Sequence, residues 1–210
     1  VRCGSCSRNR HVAICVTQEF ECKGIARLAD FSKHPELKVF NASTATPVAK
    51  ALGKGPNIRC SEYFDDVKPG QYKNGIQNQD LQNLTFDDGT LDLILSEDVF
   101  EHVADVRRGF QEVHRVLKKG GFHIFSIPYS FDSRTKELFS RRNGELVLAE
   151  PIEYHGDPIR GRIPCYTHIG FDIIDTLGEV GFDVRIEISR FADETRFGTF
   201  DSFTFITRKR

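Results

Sequence analysis

The amino-acid sequence predicts an α/β fold, a doubly wound, mostly parallel sheet with an antiparallel C-terminal strand. Three observations carry this expectation. Apolar runs of β type alternate with helical patterns along most of the chain, the order that builds strand–helix–strand units. Residues 91–96 (LDLILS) form a nearly continuous apolar run, as a strand covered on both faces requires. Near the end, runs at 182–189 and 199–207 have no helical pattern between them, so they are expected to pair antiparallel.

The elements follow in order. Residues 1–9 read as a loop, and 10–20 as a helix with Val12, Val16 and Phe20 at i, i+4 and i+8. A second short helix is expected over 24–31. Residues 37–40 form a strand that runs into the small, polar loop 41–46. Pro47 then opens a helix through Leu52, with Thr46 as N-cap. Residues 57–61 form a second strand ending in Glu62, and 75–78 a third ending near Asp80. Over 105–119 an amphipathic helix presents Val106, Phe110, Val113, Val116 and Leu117, with Lys118 and Lys119 at its C-terminal end and Gly120 at the C′ position. Residues 122–127 are the next strand, stopped by Pro128. A last helix covers 171–180, with Ile174, Leu177 and Val180 inward and Gly181 as cap.

Residues 130–168 show no periodicity and are rich in Arg, Gly, Pro and His. That is too long for a connection, so this stretch is expected to be a lid or substrate insert. The organisation predicted is one domain over 36–210, with the loop and helices of 1–35 packed on it.

Composition narrows the function. The chain has 210 residues, 39% hydrophobic and 28% charged, with a formal net charge of -1. That balance speaks against bulk binding to nucleic acid or a membrane surface. No apolar run approaches the roughly 20 residues that cross a bilayer, and no signal peptide is visible. The chain begins with Val1 and contains no Met, so its natural N-terminus is expected to lie upstream. Its six scattered cysteines suit reduced thiols in the cytoplasm better than a disulfide framework. Cys3-x-x-Cys6 has the spacing of half a zinc site, but His11, Cys15 and Cys22 do not complete it, and no metal ligand is assigned.

The sharpest signal lies in residues 80–121. Asp80-Leu81, then Leu84-Thr85-Phe86, then Glu101-His102-Val103, then Arg115-Val116-Leu117-Lys118-Lys119-Gly120-Gly121 occur in that order. This set resembles the class I S-adenosylmethionine-dependent methyltransferase family, of the type 11-like kind, in which an acidic-apolar pair, an "LPF-D-FD" segment, an "EHV" segment and "RVLKPGG" follow one another. The resemblance runs over roughly residues 36–190 and implies a Rossmann-like fold, S-adenosylmethionine as cofactor and methyl transfer to a small-molecule or sugar-like acceptor.

Ligands of open α/β sheets bind beyond the carboxyl ends of the strands. There the chain places Asn41, Ala42 and Ser43, then Glu62 and Tyr63, then Asp80 and Leu81, then Ser96 and Glu97. A carboxylate at Glu62 suits the two hydroxyls of a ribose, and Asp80 can accept from an adenine amino group, while Leu81 and Tyr63 offer apolar faces to the ring. The resemblance gives Glu62 and Asp80 the same roles. Asn41 is positioned to bond a methionine amino group. The first loop departs from the family in having no glycine, which keeps open a nucleoside-binding or scaffold domain without turnover. Fold alone also leaves room for other chemistry in the same pocket. Two histidines are candidate catalytic groups. His102 reads either as a general base or as a structural histidine at a helix start, and His155, in Tyr154-His155-Gly156-Asp157-Pro158, as substrate-facing or as part of a turn.

Overall fold

The computed structural model describes residues 6–143, 145–189 and 202–210. Its elements begin with α1 (Ser7–Phe20), β1 (Val39–Asn41), α2 (Pro47–Leu52), β2 (Ile58–Glu62), β3 (Tyr72–Lys73), β4 (Ile76–Asn78), β5 (Leu91–Glu97), α3 (Val106–Val116) and β6 (Leu117–Ser126). Six short strands follow: β7 (Lys136–Glu137), β8 (Phe139–Arg142), β9 (Glu145–Leu148), β10 (Tyr154–Asp157), β11 (Gly161–Pro164) and β12 (Thr167–His168). The chain closes with α4 (Ile173–Val180), β13 (Phe182–Ser189) and β14 (Ser202–Lys209).

Eight strands form one sheet in the order β13-β14-β6-β5-β1-β2-β4-β3. The five from β6 to β4 run parallel, while β14 is antiparallel to both β6 and β13, and β3 is antiparallel to β4. The chain lays down β1, β2 and β4 in one direction, then returns to place β5 and β6 on the other side of β1. The strand order therefore reverses between β1 and β5, which makes their carboxyl ends a crevice.

Both faces are covered, as the apolar run of β5 demands. On one face Leu93 and Leu95 of β5 join Val39, Ile124 and Ile206 in a cluster with Val12, Val16 and Phe20 of α1 and Val48 and Leu52 of α2. On the other, Leu91 and Ile94 join Phe40, Phe125 and Phe205 in a cluster with Phe110, Val113 and Val116 of α3 and Leu177 of α4. Period-two alternation of the strands sorts neighbours such as Val39 and Phe40 to opposite faces. Each fully buried Leu, Ile or Phe contributes about 1.5–3 kcal/mol.

Several expectations change in detail. The helix expected over 24–31 is two short 3₁₀ segments, Glu21–Lys23 and Leu28–Lys33, divided at Gly24, which takes a left-handed φ of 80°. The helix expected to reach Lys119 ends at Val116, because Leu117 already pairs with Leu91 of β5. Lys118 through Gly121 then form an irregularity inside β6 and not a helix cap. Gly120 has φ 75°, and a Cβ on Gly121 would sit 2.9–3.2 Å from the carbonyls of Lys118, Leu91 and Asp92. The helix at Pro47 starts as read, the Thr46 side chain accepting from Ala49 N at 3.2 Å. Residues 1–5 and 199–201 of the loop and strand expectations lie outside the described residues, as does Cys3.

Two internal devices fix the frame. The guanidinium of Arg115 donates to the carbonyls of Leu84 and Phe86, to both oxygens of the buried Glu112, and to Asp88. Glu112 accepts from Leu84 N at 3.0 Å. The segment leading into β5 is thereby clamped to α3, so this part of the recognisable sequence is structural. Replacing Arg115 with Met strands the Glu112 carboxylate and is expected to lower unfolding free energy by about 2–4 kcal/mol. Urea denaturation measures this, and a loss below about 0.5 kcal/mol would contradict the clamp.

His123 is fully buried in β6, stacked on Phe125 at 4.3 Å between ring centroids and bonded through Nε2 to Ser96 Oγ at 2.8 Å. Burial holds its pKa down at about 3, against 6.5 for the free imidazole. Below about 6.5 the unfolded chain takes up a proton that the folded chain does not, so stability falls as pH drops toward 3, by ~1.4 kcal/mol per pH unit. Between pH about 7 and about 5, the pair of substitutions Ser96→Ala and His123→Phe should therefore cut the acid-induced loss of stability by about 2 kcal/mol relative to the unaltered chain. Equal losses in both proteins would mean that His123 is not held neutral.

Candidate functional site

A cavity of about 570 Å³ opens at the carboxyl ends of β1, β2, β4 and β5, where the strand order reverses. Most of its wall comes from five places. Ala42, Ser43 and Thr46 follow β1. Ser61, Glu62 and Tyr63 end β2. Gln79 through Gln82 follow β4. Glu97 through Val99 and Glu101 through Ala104 follow β5. The hairpin β10–β11 adds His155 through Pro158, Arg160 and Ile163.

The first loop is held by acids and hydroxyls in place of glycine. Glu62 Oε1 accepts from Thr44 N at 2.6 Å, Thr44 Oγ1 at 2.8 Å and Ser43 Oγ at 3.3 Å. Asn41 Nδ2 donates to Ser43 O at 2.6 Å, while its Oδ1 is buried with no hydrogen-bond partner among the described residues. Asn41 thus braces the loop from behind the cavity wall. Asp80 Oδ1 accepts from Gln82 N at 2.8 Å and orders the turn after β4. Leu81 is buried beside it, and Tyr63 is 44% exposed at the rim.

At the end of β5 the backbone turns sharply through Asp98, which has φ 52°. Ser96 faces the core and bonds His123, so it does not line the cavity. Glu97 does, and it is bound by the start of α1, with Asn9 Nδ2 donating to its Oε1 at 2.5 Å. Burial raises the Glu97 pKa, opposed by hydrogen bonds from Thr46 and Asn9. Arg8 pairs with Asp98 at 2.9 Å. The start of α1 therefore forms part of the wall, although its sequence, Cys6-Ser7-Arg8-Asn9, carries no motif that announces it.

The two candidate histidines meet. His102 and His155 rings lie 4.9 Å apart in a T-shaped pair. His102 Nδ1 donates to Pro164 O at 2.7 Å, which leaves Nε2 at 3.6 Å from Glu101 Oε1. His155 Nε2 donates to Glu153 Oε1 at 3.2 Å, which leaves Nδ1 at 3.7 Å from the same Glu101 oxygen. Glu101 is 1% exposed, and among the described residues neither of its oxygens has a hydrogen-bond partner. Burial pushes its carboxyl up to about 8, with the charge of Asp98 adding to the rise. Burial also lowers the His102 pKa, partly offset by its bond to Pro164.

The insert is stitched to this cluster. Tyr166 N donates to Glu101 O at 2.8 Å, and Arg160 Nη1 reaches across the mouth to Tyr63 O at 3.2 Å. Of the residues singled out in the sequence, Ala42, Ser43, Glu62, Tyr63, Asp80, Leu81, Glu97, His102 and His155 come together on one cavity, while Asn41 and Ser96 stand behind it. Arg8, Gln82 and Glu101 are additions to its lining, and Asn9 and Glu153 bond residues that line it. Glu101 was readable as part of the Glu101-His102-Val103 segment, but nothing local marks it as the residue whose carboxylate is left without a partner.

Comparison with known proteins agrees with this geometry. Residues 55–125 match the sequence family described as Methyltransferase domain. Over 52 residues the chain is 41% identical to sarcosine/dimethylglycine N-methyltransferase of Halorhodospira halochloris, a stretch covering 25% of this chain and 19% of that protein. The chain thus spans about a fifth of the length of the curated relative it matches. An S-adenosylmethionine-dependent methyltransferase from Mesorhizobium loti superimposes with a TM-score of 0.51 at 16% identity, over 83% of this chain and 91% of that one. The [4+2]-cyclase SpnF does so with a TM-score of 0.50 at 12% identity, over 87% and 80%. Residues 55–125 thus resemble a methyltransferase domain, and the fold is that of S-adenosylmethionine-dependent methyltransferases of known structure.

Proposed function

We propose that the chain binds S-adenosylmethionine in this cavity and transfers its methyl group to a small-molecule or sugar-like acceptor. The observation that carries the reading is the joint placement of Glu62, Asp80 and Leu81 on one cavity at the strand reversal, inside or beside the segment that matches the methyltransferase family. The three loop bonds to Glu62 all fall on Oε1, so Oε2 is left for a ribose hydroxyl. Asp80 bonds Gln82 through Oδ1, leaving Oδ2 for an adenine amino group against Leu81. The unpartnered Oδ1 of Asn41 is an acceptor beneath the loop that would hold the methionine end. These residues fit the cofactor, which supplies an already activated methyl group.

What remains for the protein is alignment and exclusion of water. The hairpin β10–β11 covers the far side of the cavity, with Arg160 bound to the Tyr63 carbonyl and His155 beside His102. The insert then acts as the lid on the acceptor side. The imidazole of His102 or His155 suits removal of a proton from the acceptor. The relative from Halorhodospira halochloris is named for small amine acceptors, which agrees with a cavity of this size. The five described cysteines are all free, with burial pushing Cys15 up to about 12 and Cys60 and Cys165 up to about 11, in keeping with a cytoplasmic protein.

One observation favours a second reading, a nucleoside-binding domain without turnover. Glu62, the residue assigned to the ribose, already serves the first loop. Calorimetry separates the readings. The chain should bind S-adenosylhomocysteine, and Glu62→Gln should weaken binding about tenfold or more while Asp98→Ala changes it less, since hydrogen bonds to a charged group contribute about 1.5–3 kcal/mol. Absence of heat at millimolar ligand removes both readings. Binding with no methyl transfer to any amine, carboxylate or hydroxyl acceptor supports the second.

A further inference from the structure

We propose that Glu101, His102 and His155 form a three-ligand site for a divalent transition-metal cation on the acceptor side of the cavity, with its open coordination position facing the cavity. The three side chains offer Oε1 or Oε2, Nε2 and Nδ1, and these atoms lie within 4.8 Å of one another. Two separations are 3.6 Å and 3.7 Å. Ligands at bond lengths of about 2.0–2.2 Å around a tetrahedral ion stand roughly 3.3 Å apart, so a few tenths of an ångström closes each carboxylate–imidazole pair and at most about 1.5 Å closes the imidazole–imidazole pair.

The hydrogen bonds around the cluster prepare both rings for this. A metal-binding histidine commonly donates its other ring N–H to a carbonyl or carboxylate, which fixes the tautomer and the ring plane. His102 donates from Nδ1 to the Pro164 carbonyl, and His155 donates from Nε2 to the Glu153 carboxylate. Their remaining nitrogens therefore face each other and Glu101 as acceptors. Two imidazole acceptors and one carboxyl group thus converge.

Glu101 supplies the independent observation. It is 1% exposed, and among the described residues both its oxygens lack a hydrogen-bond partner. A buried carboxylate in that condition is costly, and a cation between it and the two imidazoles removes the cost. Its backbone is also held, through Tyr166 N to Glu101 O, by the same insert that brings His155. The site is thus assembled from the end of β5 and from the hairpin β10–β11, and it forms only when the insert is docked.

The donor set defines the ion and the ligand class. Two imidazoles and one carboxylate with an open position suit zinc or ferrous iron and give no preference to thiophilic ions. The open position takes an oxygen donor, a hydroxyl or carboxylate of the acceptor. That last step rests on the methyl-transfer reading, whereas binding of the ion does not.

Zinc alone, titrated calorimetrically into the chelator-treated full chain, tests the site, with Cys3 and Cys6 both replaced by Ser to remove the N-terminal thiols. The expected result is one zinc bound per chain, weakened at least about tenfold by Glu101→Gln and also by His155→Ala, which sits on the half-buried hairpin and spares the core. Cobalt in place of zinc should give ligand-field bands without thiolate charge transfer. Equal zinc affinity in the parent and in His155→Ala would overturn the site, as would failure of the parent to bind zinc. A thiolate band that Cys165→Ser abolishes would also overturn it, because it assigns the ion to the alternative group Glu153, His155 and Cys165. Zinc binding without cofactor binding would leave this site standing and remove the methyl-transfer reading.

Discussion

Strand β5 is paired on both edges with parallel neighbours and covered on both faces by helices, and the arrangement of the whole site follows from that burial. A strand enclosed in this way presents polar groups to a ligand only past its carboxyl end. The change of direction comes at Asp98, and the next residues bring Glu101 and His102 into the crevice. Because strand order reverses between β1 and β5, the loop after β1 diverges from the turn after β5 and a cavity opens between them. Leu93, Ile94 and Leu95, with no exposed surface, anchor the strand that everything else hangs from.

The cavity has two halves of different chemistry. On the side of β2 and β4, carboxylates have work within the protein, Glu62 bracing the first loop and Asp80 the following turn. On the side of β5 and the insert, Glu101 has no hydrogen-bonded work among the described residues, and two imidazoles face it. Preorganised acceptors of the first kind suit a nucleoside with hydroxyl and amino donors. An unpartnered acceptor cluster of the second kind suits a cation. The start of α1 joins the halves, Asn9 binding Glu97 and Arg8 binding Asp98.

Much of the frame was legible in the sequence, and the reasons for the exceptions are local. The apolar run of β5, the Thr46-Pro47 helix start and the antiparallel terminal strands were readable because period and cap chemistry act over a few residues. The end of α3 was not, because Leu117 is as good a helix residue as a strand residue, and pairing with Leu91 decides its state. Placement at strand ends brings Glu62, Asp80 and Glu97 to the cavity wall. It misplaced Ser96 by one residue of alternation, which turned its hydroxyl into the core toward His123. The meeting of His102 with His155 depends on how the insert folds back, through bonds from residues 153–166 that no local pattern specifies.

A single structure determination tests the central claim, that one cavity at the strand reversal holds the cofactor on one side and the reacting acceptor on the other. In crystals grown with S-adenosylhomocysteine, the ribose is predicted between Glu62 and the first loop. The adenine should lie on Leu81 within hydrogen-bond reach of Asp80, and the thioether sulfur should point toward Glu101, His102 and His155. Density for the ligand in any other place, or with its sulfur turned away from that cluster, would contradict the account.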